Sequence, residues 1–286
     1  MLRREVSANR YEKGLICEDF TAPEKSVHGR LQAHNVSYIS DESRTHQMNK
    51  NCRVTALVVF ASLIPDMLPA AEVWGGSLAA TSDYLVRGIS RSNQHAAVQA
   101  DAHVGFESGF IGGVFASSAQ FDSGDSRNAE VSAFAGFSPR QTGPWRTKVL
   151  VSYYGYLWND SGSQYNYAEV TLEAAYDNWL SFGVVYSPDA PRYLRHWGLK
   201  GVNSTTAEVD LRTPWRRHFA AAAGAGYSEL GGPGGRGYAY WSAGGVADFS
   251  PCSISLFFVD TNADAKKLFY SGAAHDQWTA TLIWRF

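Results

Sequence analysis

The chain has 286 residues, a net charge of −2 and three cysteines, which allows one large domain or two modest ones and gives no basic footprint for nucleic acid. It has no run of about twenty apolar residues, so no helical membrane span is present. A membrane β-barrel stays open as a class, because its strands alternate apolar and polar residues and average to a neutral hydropathy.

Residues 1–47 are polar, scattered in charge and without a helical or strand period. Residues 48–53 are short and basic, Val54 to Ile64 is an eleven-residue apolar run, Pro65 breaks it, and Ala70 and Ala71 offer small residues for cleavage. Basic, then apolar, then small is the order of a secretory signal. Residues 48–71 are therefore expected to be a signal peptide, cleaved after Ala70 or Ala71. A signal starts at the initiator, so translation is expected to begin at Met48, with residues 1–47 a spurious or disordered extension. Cys52 precedes the apolar run and is not placed for lipid attachment.

All nine Trp lie after residue 73 and 25 of the 27 Gly after residue 71. The expected mature part, residues 72–286, holds 16 Lys and Arg against 19 Asp and Glu. Cys252 is its one thiol, so it forms no internal disulfide.

Period-2 alternation with aromatic and β-branched residues marks strands. It occurs at 76–87, 96–107, 110–121, 128–138, 146–158, 166–177, 179–187, 204–212, 217–228, 238–249, 252–260 and 277–286, twelve in all. The last is the clearest: Trp278, Ala280, Leu282, Trp284 and Phe286 share one face, and Thr279, Thr281, Ile283 and Arg285 the other. Connections alternate in length. Those at 108–109, 139–145, 178, 213–216 and 250–251 are short, and those at 88–95, 122–127, 159–165, 187–203, 229–237 and 260–276 are longer. An even strand number with short periplasmic turns and longer outer loops is the plan of a bacterial outer-membrane barrel. The expected fold is all-β, a transmembrane up-and-down antiparallel barrel of about twelve strands, closed because lipid leaves no backbone group unpaired.

The outward face is expected to be apolar and to contact outer-membrane lipid, with Trp74, Trp145, Trp158, Trp179, Trp215, Trp278 and Trp284 at the interfaces. The alternation points Asp83, Gln99, Asp101, His103, Glu130, Lys148, Glu169, Glu173, Glu208, Asp210, Arg212 and Arg285 into the lumen. Unpaired cations on the lipid face would cost about 2–4 kcal/mol at the midplane, which excludes the reverse assignment. A twelve-stranded barrel exceeds the width that side chains fill, and carboxylate rings favour cations. A passive pore for small polar solutes or ions, with a modest cation preference, is the resulting expectation.

The segment SDYLVRGIS, Ser82 to Ser90, resembles the opening motif of the TorF or Gcw-chp type family of proteobacterial porins. An A-V-Q segment at 97–99, a G-F-x-x-G-V segment at 109–114, the Tyr-rich strand at 153–156 and the terminal Phe286 are also similar. Val86 departs from the aromatic residue usual there, and Arg91 stands where Gln is common. The resemblance covers 72–286 and implies an outer-membrane porin of a Gram-negative cell, without supplying a solute or catalytic residues. Asp83 and Arg87 share a face roughly 13 Å apart along an extended strand, so each is expected to meet an opposite charge on a neighbouring strand. Asp83, Tyr84, Arg87 and Gly88 are expected to organise the barrel rim, with Gly88 opening a turn at positive φ. Trp284 and Phe286 resemble the insertion signal read by the barrel-assembly machinery, which adds the last strand to its own sheet edge.

No G-x-S-x-G, H-E-x-x-H, P-loop or C-x-x-C pattern occurs. No catalytic site, cofactor or metal is therefore expected, and His103 is read as a lumen hydrogen-bonding group. Three other readings stay open. They are a closed structural or adhesive barrel whose loops 187–203 and 260–276 meet a partner, a hydrolase with its site at the rim, and a periplasmic β-sandwich.

Overall fold

The computed structural model describes residues 73–120, 128–139, 141–158, 166–177, 179–194, 198–231, 236–269 and 272–286. The expected signal peptide and the extension before it lie outside the described residues. The chain runs through β1 (Val73–Thr81), β2 (Leu85–Val86), β3 (Ile89–Ser90), β4 (Ala97–Gly105), β5 (Phe110–Ala119), β6 (Asn128–Phe137) and β7 (Trp145–Leu157). There follow β8 (Tyr167–Tyr176), β9 (Leu180–Leu194), β10 (Gly198–Arg216), β11 (Phe219–Leu230), β12 (Tyr238–Phe249), β13 (Cys252–Thr261), α1 (Ala263–Leu268) and β14 (Gln277–Arg285).

Twelve of these strands form one closed antiparallel barrel in which each pairs with its chain neighbour, while β2 and β3 make a separate two-stranded sheet. The barrel closes where β1 meets β14, in a register running from Ser77 opposite Arg285 to Thr81 opposite Thr281. Phe286 extends that seam by exchanging backbone hydrogen bonds with Gly76 at 3.1 and 3.2 Å. The Phe286 ring also lies over Gly76, where a Cβ would come within 2.8 Å of it.

The two periodic faces have opposite chemistry, and this makes closure favourable. Leu78, Val114, Val149, Val151, Leu172, Val184, Ile254, Leu256 and Leu282 point outward and exposed. In water such a continuous apolar surface is unfavourable, whereas in hydrocarbon it is the required solvent match. Aromatic residues bound this band at both ends. Near the short turns, Phe110 meets Phe137 at 5.3 Å, Trp145 meets Tyr176 at 5.1 Å and Trp284 meets Phe286 at 5.4 Å. Near the long loops, Phe258 lies 5.5 Å from both Trp241 and Trp278. Paired aromatic girdles of this kind mark the two membrane interfaces of a barrel. Trp74, Trp145, Trp158, Trp179, Trp278 and Trp284 are all exposed near strand ends, and the side chain of Trp215 lies outside the described residues.

Three boundaries differ from the sequence expectation. The first barrel strand ends at Thr81 rather than at residue 87, and the SDYLVRGIS segment leaves the wall. The expected loop 187–203 is mostly strand, because β9 and β10 continue to Leu194 and start at Gly198. The expected loop 260–276 contains α1, capped by Asn262, whose side chain accepts from the Ala265 N–H at 3.2 Å.

Candidate functional site

Twelve strands about 4.8 Å apart and tilted by about 40° enclose a cylinder roughly 24 Å across between backbones. Side chains from the wall alone do not fill such a bore, and the chain fills its long-loop half with its own segments. After Thr81 the backbone turns inward, with Ser82 N–H donating to the Ala280 carbonyl at 2.9 Å. β2 and β3 then form a hairpin whose two turn residues, Arg87 at φ 54° and Gly88 at φ 75°, both lie in the left-handed region. Positive φ at both central positions defines the tight turn that matches strand twist. Gly88 is required there twice over, since a Cβ would also lie 2.6 Å from the Thr261 methyl and 2.9 Å from Tyr240 Cβ.

The hairpin crosses the bore. Leu85 packs against Ala222, Val246, Phe257 and Val259 on β11–β13, and Tyr84 and Val86 pack against Ala97 and Phe115 on β4 and β5. Ile89 joins Tyr238, Tyr240, Leu268 and Phe269, so α1 closes over the same end. Outside the wall strands, Lys266 of α1 lies 3.2 Å from Asp260 and 3.6 Å from Asp276. The hydrogen bond to Asp260 raises the Lys266 ammonium above its ordinary pKa.

The polar contacts of the hairpin form two clusters on the wall. Arg87 grips Glu169 as a fork, Nη1 to Oε1 at 2.9 Å and Nη2 to Oε2 at 3.0 Å, and its Nε lies 3.5 Å from Glu208 Oε1. Tyr240 donates to the same Glu208 oxygen at 2.6 Å. Arg91 donates to Glu130 Oε2 at 3.2 Å, to the Tyr167 hydroxyl at 3.2 Å and to the Tyr156 hydroxyl. Tyr84 and Tyr156 donate to Glu130 at 2.7 and 2.5 Å. Tyr167 stacks on Tyr154 with ring centroids 4.6 Å apart. Charges this deep require partners, and each carboxylate here has a guanidinium.

Asp83, Tyr84, Arg87 and Gly88 therefore lie inside the barrel and not at its rim. Arg87 meets opposite charge as expected, but on β8 and β10 across the bore. Asp83 meets none among the described residues: its Oδ1 accepts from Ser90 Oγ at 2.7 Å and Ser92 Oγ at 2.6 Å, tying the base of the hairpin together. The structure also does not make a ring of free carboxylates from Glu130, Glu169, Glu173 and Glu208. The first, second and fourth pair with hairpin arginines, and Glu173 lies 3.2 Å from Lys148.

Most of the remaining predicted lumen residues face the bore toward its short-turn end or in mid-wall, and Gln99 lies nearer the long-loop end of β4. Arg212 pairs with Asp248, which Arg285 approaches to 4.0 Å, and Asp210 and Gln99 are buried in the wall. Asp101 Oδ1 lies 3.0 Å from His103 Nδ1 and its Oδ2 accepts from Ser77. Serine, histidine and aspartate thus meet, but the hydroxyl donates to the carboxylate and no serine–imidazole hydrogen bond forms. The nucleophile–base contact of a hydrolase is not made by these three residues.

Arg91, Tyr156, Tyr167 and Tyr240 were absent from the expected lumen set. A signal exists for two of the tyrosines: Tyr156 shares parity with Lys148 on β7, and Tyr167 with Glu169 on β8. Arg91 carried a weaker one, a cation four residues after Arg87.

Solved structures resemble the chain at low identity. The KdgM porin in complex with disordered oligogalacturonate is 10% identical, covers 75% of this chain and 99% of its own, and has a TM-score of 0.46. The NanC porin is 10% identical over 74% of this chain and 98% of its own, with a TM-score of 0.46. LpxR from Salmonella typhimurium is 9% identical over 74% and 99%, with a TM-score of 0.39. No curated protein matches the chain. Residues 71–285 match the family described as "Bacterial protein of unknown function (Gcw_chp)", a span that includes every strand of the barrel and the inward hairpin, and the chain belongs to the Gcw_chp family.

Proposed function

We propose that this protein is a porin of the Gram-negative outer membrane, passing small polar solutes or ions through a bore narrowed by the 82–96 segment. The observation that carries this reading is the contrast between wall and hairpin. The bore-facing wall is rich in Ser, Thr, Asp, Glu and Tyr, whereas β2 and β3 pair with each other and with no wall strand. A hairpin held mainly by side-chain contacts can leave a polar bore without breaking a strand ladder. Asp101 and Asp210 also face the bore, and carboxylates lining a bore support a weak cation preference.

Single-channel recording in planar bilayers tests this. The wild-type chain is expected to give small steps, a chain with Arg87→Ala and Arg91→Ala larger ones, and a salt gradient a reversal potential of cationic sign. The second reading, a closed structural barrel, is favoured by the complete burial of Tyr84 and Glu130. It gains the argument if neither chain produces steps.

We further infer that the terminal strand is what the barrel-assembly machinery takes up, by addition to an exposed sheet edge. Phe286 contributes two backbone hydrogen bonds to the Gly76 seam and an exposed ring beside Trp284. Deleting Phe286 is expected to lower the yield of heat-modifiable protein in outer-membrane fractions. An unchanged yield overturns the inference.

A further inference from the structure

Arg87 and Arg91 are two guanidinium groups seated in places that the wall makes for them. Glu169 receives Arg87 through two parallel hydrogen bonds of 2.9 and 3.0 Å, and Glu208 faces the remaining Nε at 3.5 Å. Around Arg91, Glu130 and the hydroxyls of Tyr156 and Tyr167 take the donors, and the guanidinium carbon lies 5.7 Å from the Tyr167 ring centroid. The fork on Arg87 and the aromatic ring beside Arg91 are each a contact that suits a planar guanidinium better than a compact ammonium. The recognising residues belong to β6, β7, β8 and β10, while the arginines belong to a segment outside the barrel's ladder. Site and occupant are therefore separate elements of the fold.

We propose that the lumen wall formed by Glu130, Tyr156, Tyr167, Glu169 and Glu208 is a binding site for guanidinium-bearing cationic solutes, which Arg87 and Arg91 occupy as a tethered stand-in. This deepens the channel reading and relies on it for passage of the solute, though binding does not require passage. A departing arginine leaves buried carboxylates without a counter-charge, which is strongly unfavourable. Exchange of one guanidinium for another keeps them paired. Tethering gives the hairpin arginines a high effective concentration, so a free solute with one guanidinium competes poorly in the wild-type chain and binds openly when the arginines are removed.

The test uses the refolded full chain carrying Arg87→Ala and Arg91→Ala in detergent micelles. It is titrated with low-millimolar guanidinium chloride and followed by tryptophan fluorescence and thermal unfolding, with sodium chloride and methylammonium chloride at equal ionic strength as controls. The expected result is a saturable response to guanidinium at concentrations about tenfold below any response to methylammonium. That response is absent from the wild-type chain and weakened when Glu169→Gln is added. Equal responses to the three salts overturn the proposal. Should the double variant not fold, Arg87→Ala alone, which keeps Arg91 on Glu130, is titrated in the same way and read by the same two outcomes. Saturable binding without bilayer conductance rejects the channel and keeps the site, whereas conductance without saturable binding rejects the site and keeps the channel.

Discussion

Arg87→Met is expected to lower the unfolding free energy of the barrel in lipid or detergent by about 3–5 kcal/mol, the range for removing one partner of a buried ion pair. Methionine keeps most of the stem and removes the charge, so the loss is electrostatic and not a cavity effect. Glu169 and Glu208 are 2% and 5% exposed, and both would face the bore without their guanidinium. The turn gives no relief, because residue 87 sits at a φ of 54°, a region no better suited to methionine than to arginine. Adding Glu169→Gln removes one of the two stranded charges. The double variant is then expected to be less destabilised than the sum of the single ones, by a coupling of about 0.5–3 kcal/mol. Urea unfolding of the four chains in liposomes measures the cycle. Strict additivity would show that the fork contributes nothing to holding the hairpin.

The alternation was readable because lipid and lumen ask for opposite chemistry at neighbouring residues. Trp278 and Leu282 against Thr279 and Thr281 display it directly, and they set the face of β14 without any tertiary information. The inward hairpin was not readable by the same rule. Leu85, Val86 and Ile89 supply the apolar texture of a strand, but they spend it on the lumen wall and not on lipid. Its turn is Arg87-Gly88, and an Asn or Asp at the first position would have been the recognisable hairpin signal.

The long β9–β10 hairpin was hidden for another reason. Pro188 and Pro191 read as strand breakers. Beyond Tyr186, however, β9 pairs with β10 and, among the described residues, not with β8, so it is an edge there, the position in a sheet where proline is tolerated. In the lumen, parity points Glu130, Glu169 and Glu208 inward but says nothing of their partners. Those partners lie 39 and 82 residues away for Glu130 and Glu169, and no local pattern encodes such a pairing.

Val151→Arg puts the membrane assignment under the most direct strain. Val151 is outward-facing in the middle of β7, 54% exposed and set among apolar neighbours on β6 and β8. A cation at the hydrocarbon midplane costs about 2–4 kcal/mol, falling to about 0–1 kcal/mol near an interface. Leu157, outward on the same strand at its long-loop end, supplies the comparison. Val151→Arg is expected to lower the unfolding free energy in liposomes by the larger amount and Leu157→Arg by the smaller. The difference between them reports depth, because strand, pairing direction and introduced side chain are alike and both replaced residues are exposed aliphatics. A barrel whose outer face met water would show no such gradient, since arginine is well solvated at either position and the lost apolar contact is small for an exposed residue. Equal costs at the two positions would thus remove lipid as the solvent of this face, and with it the physical reason for the wall to be apolar outside and polar within.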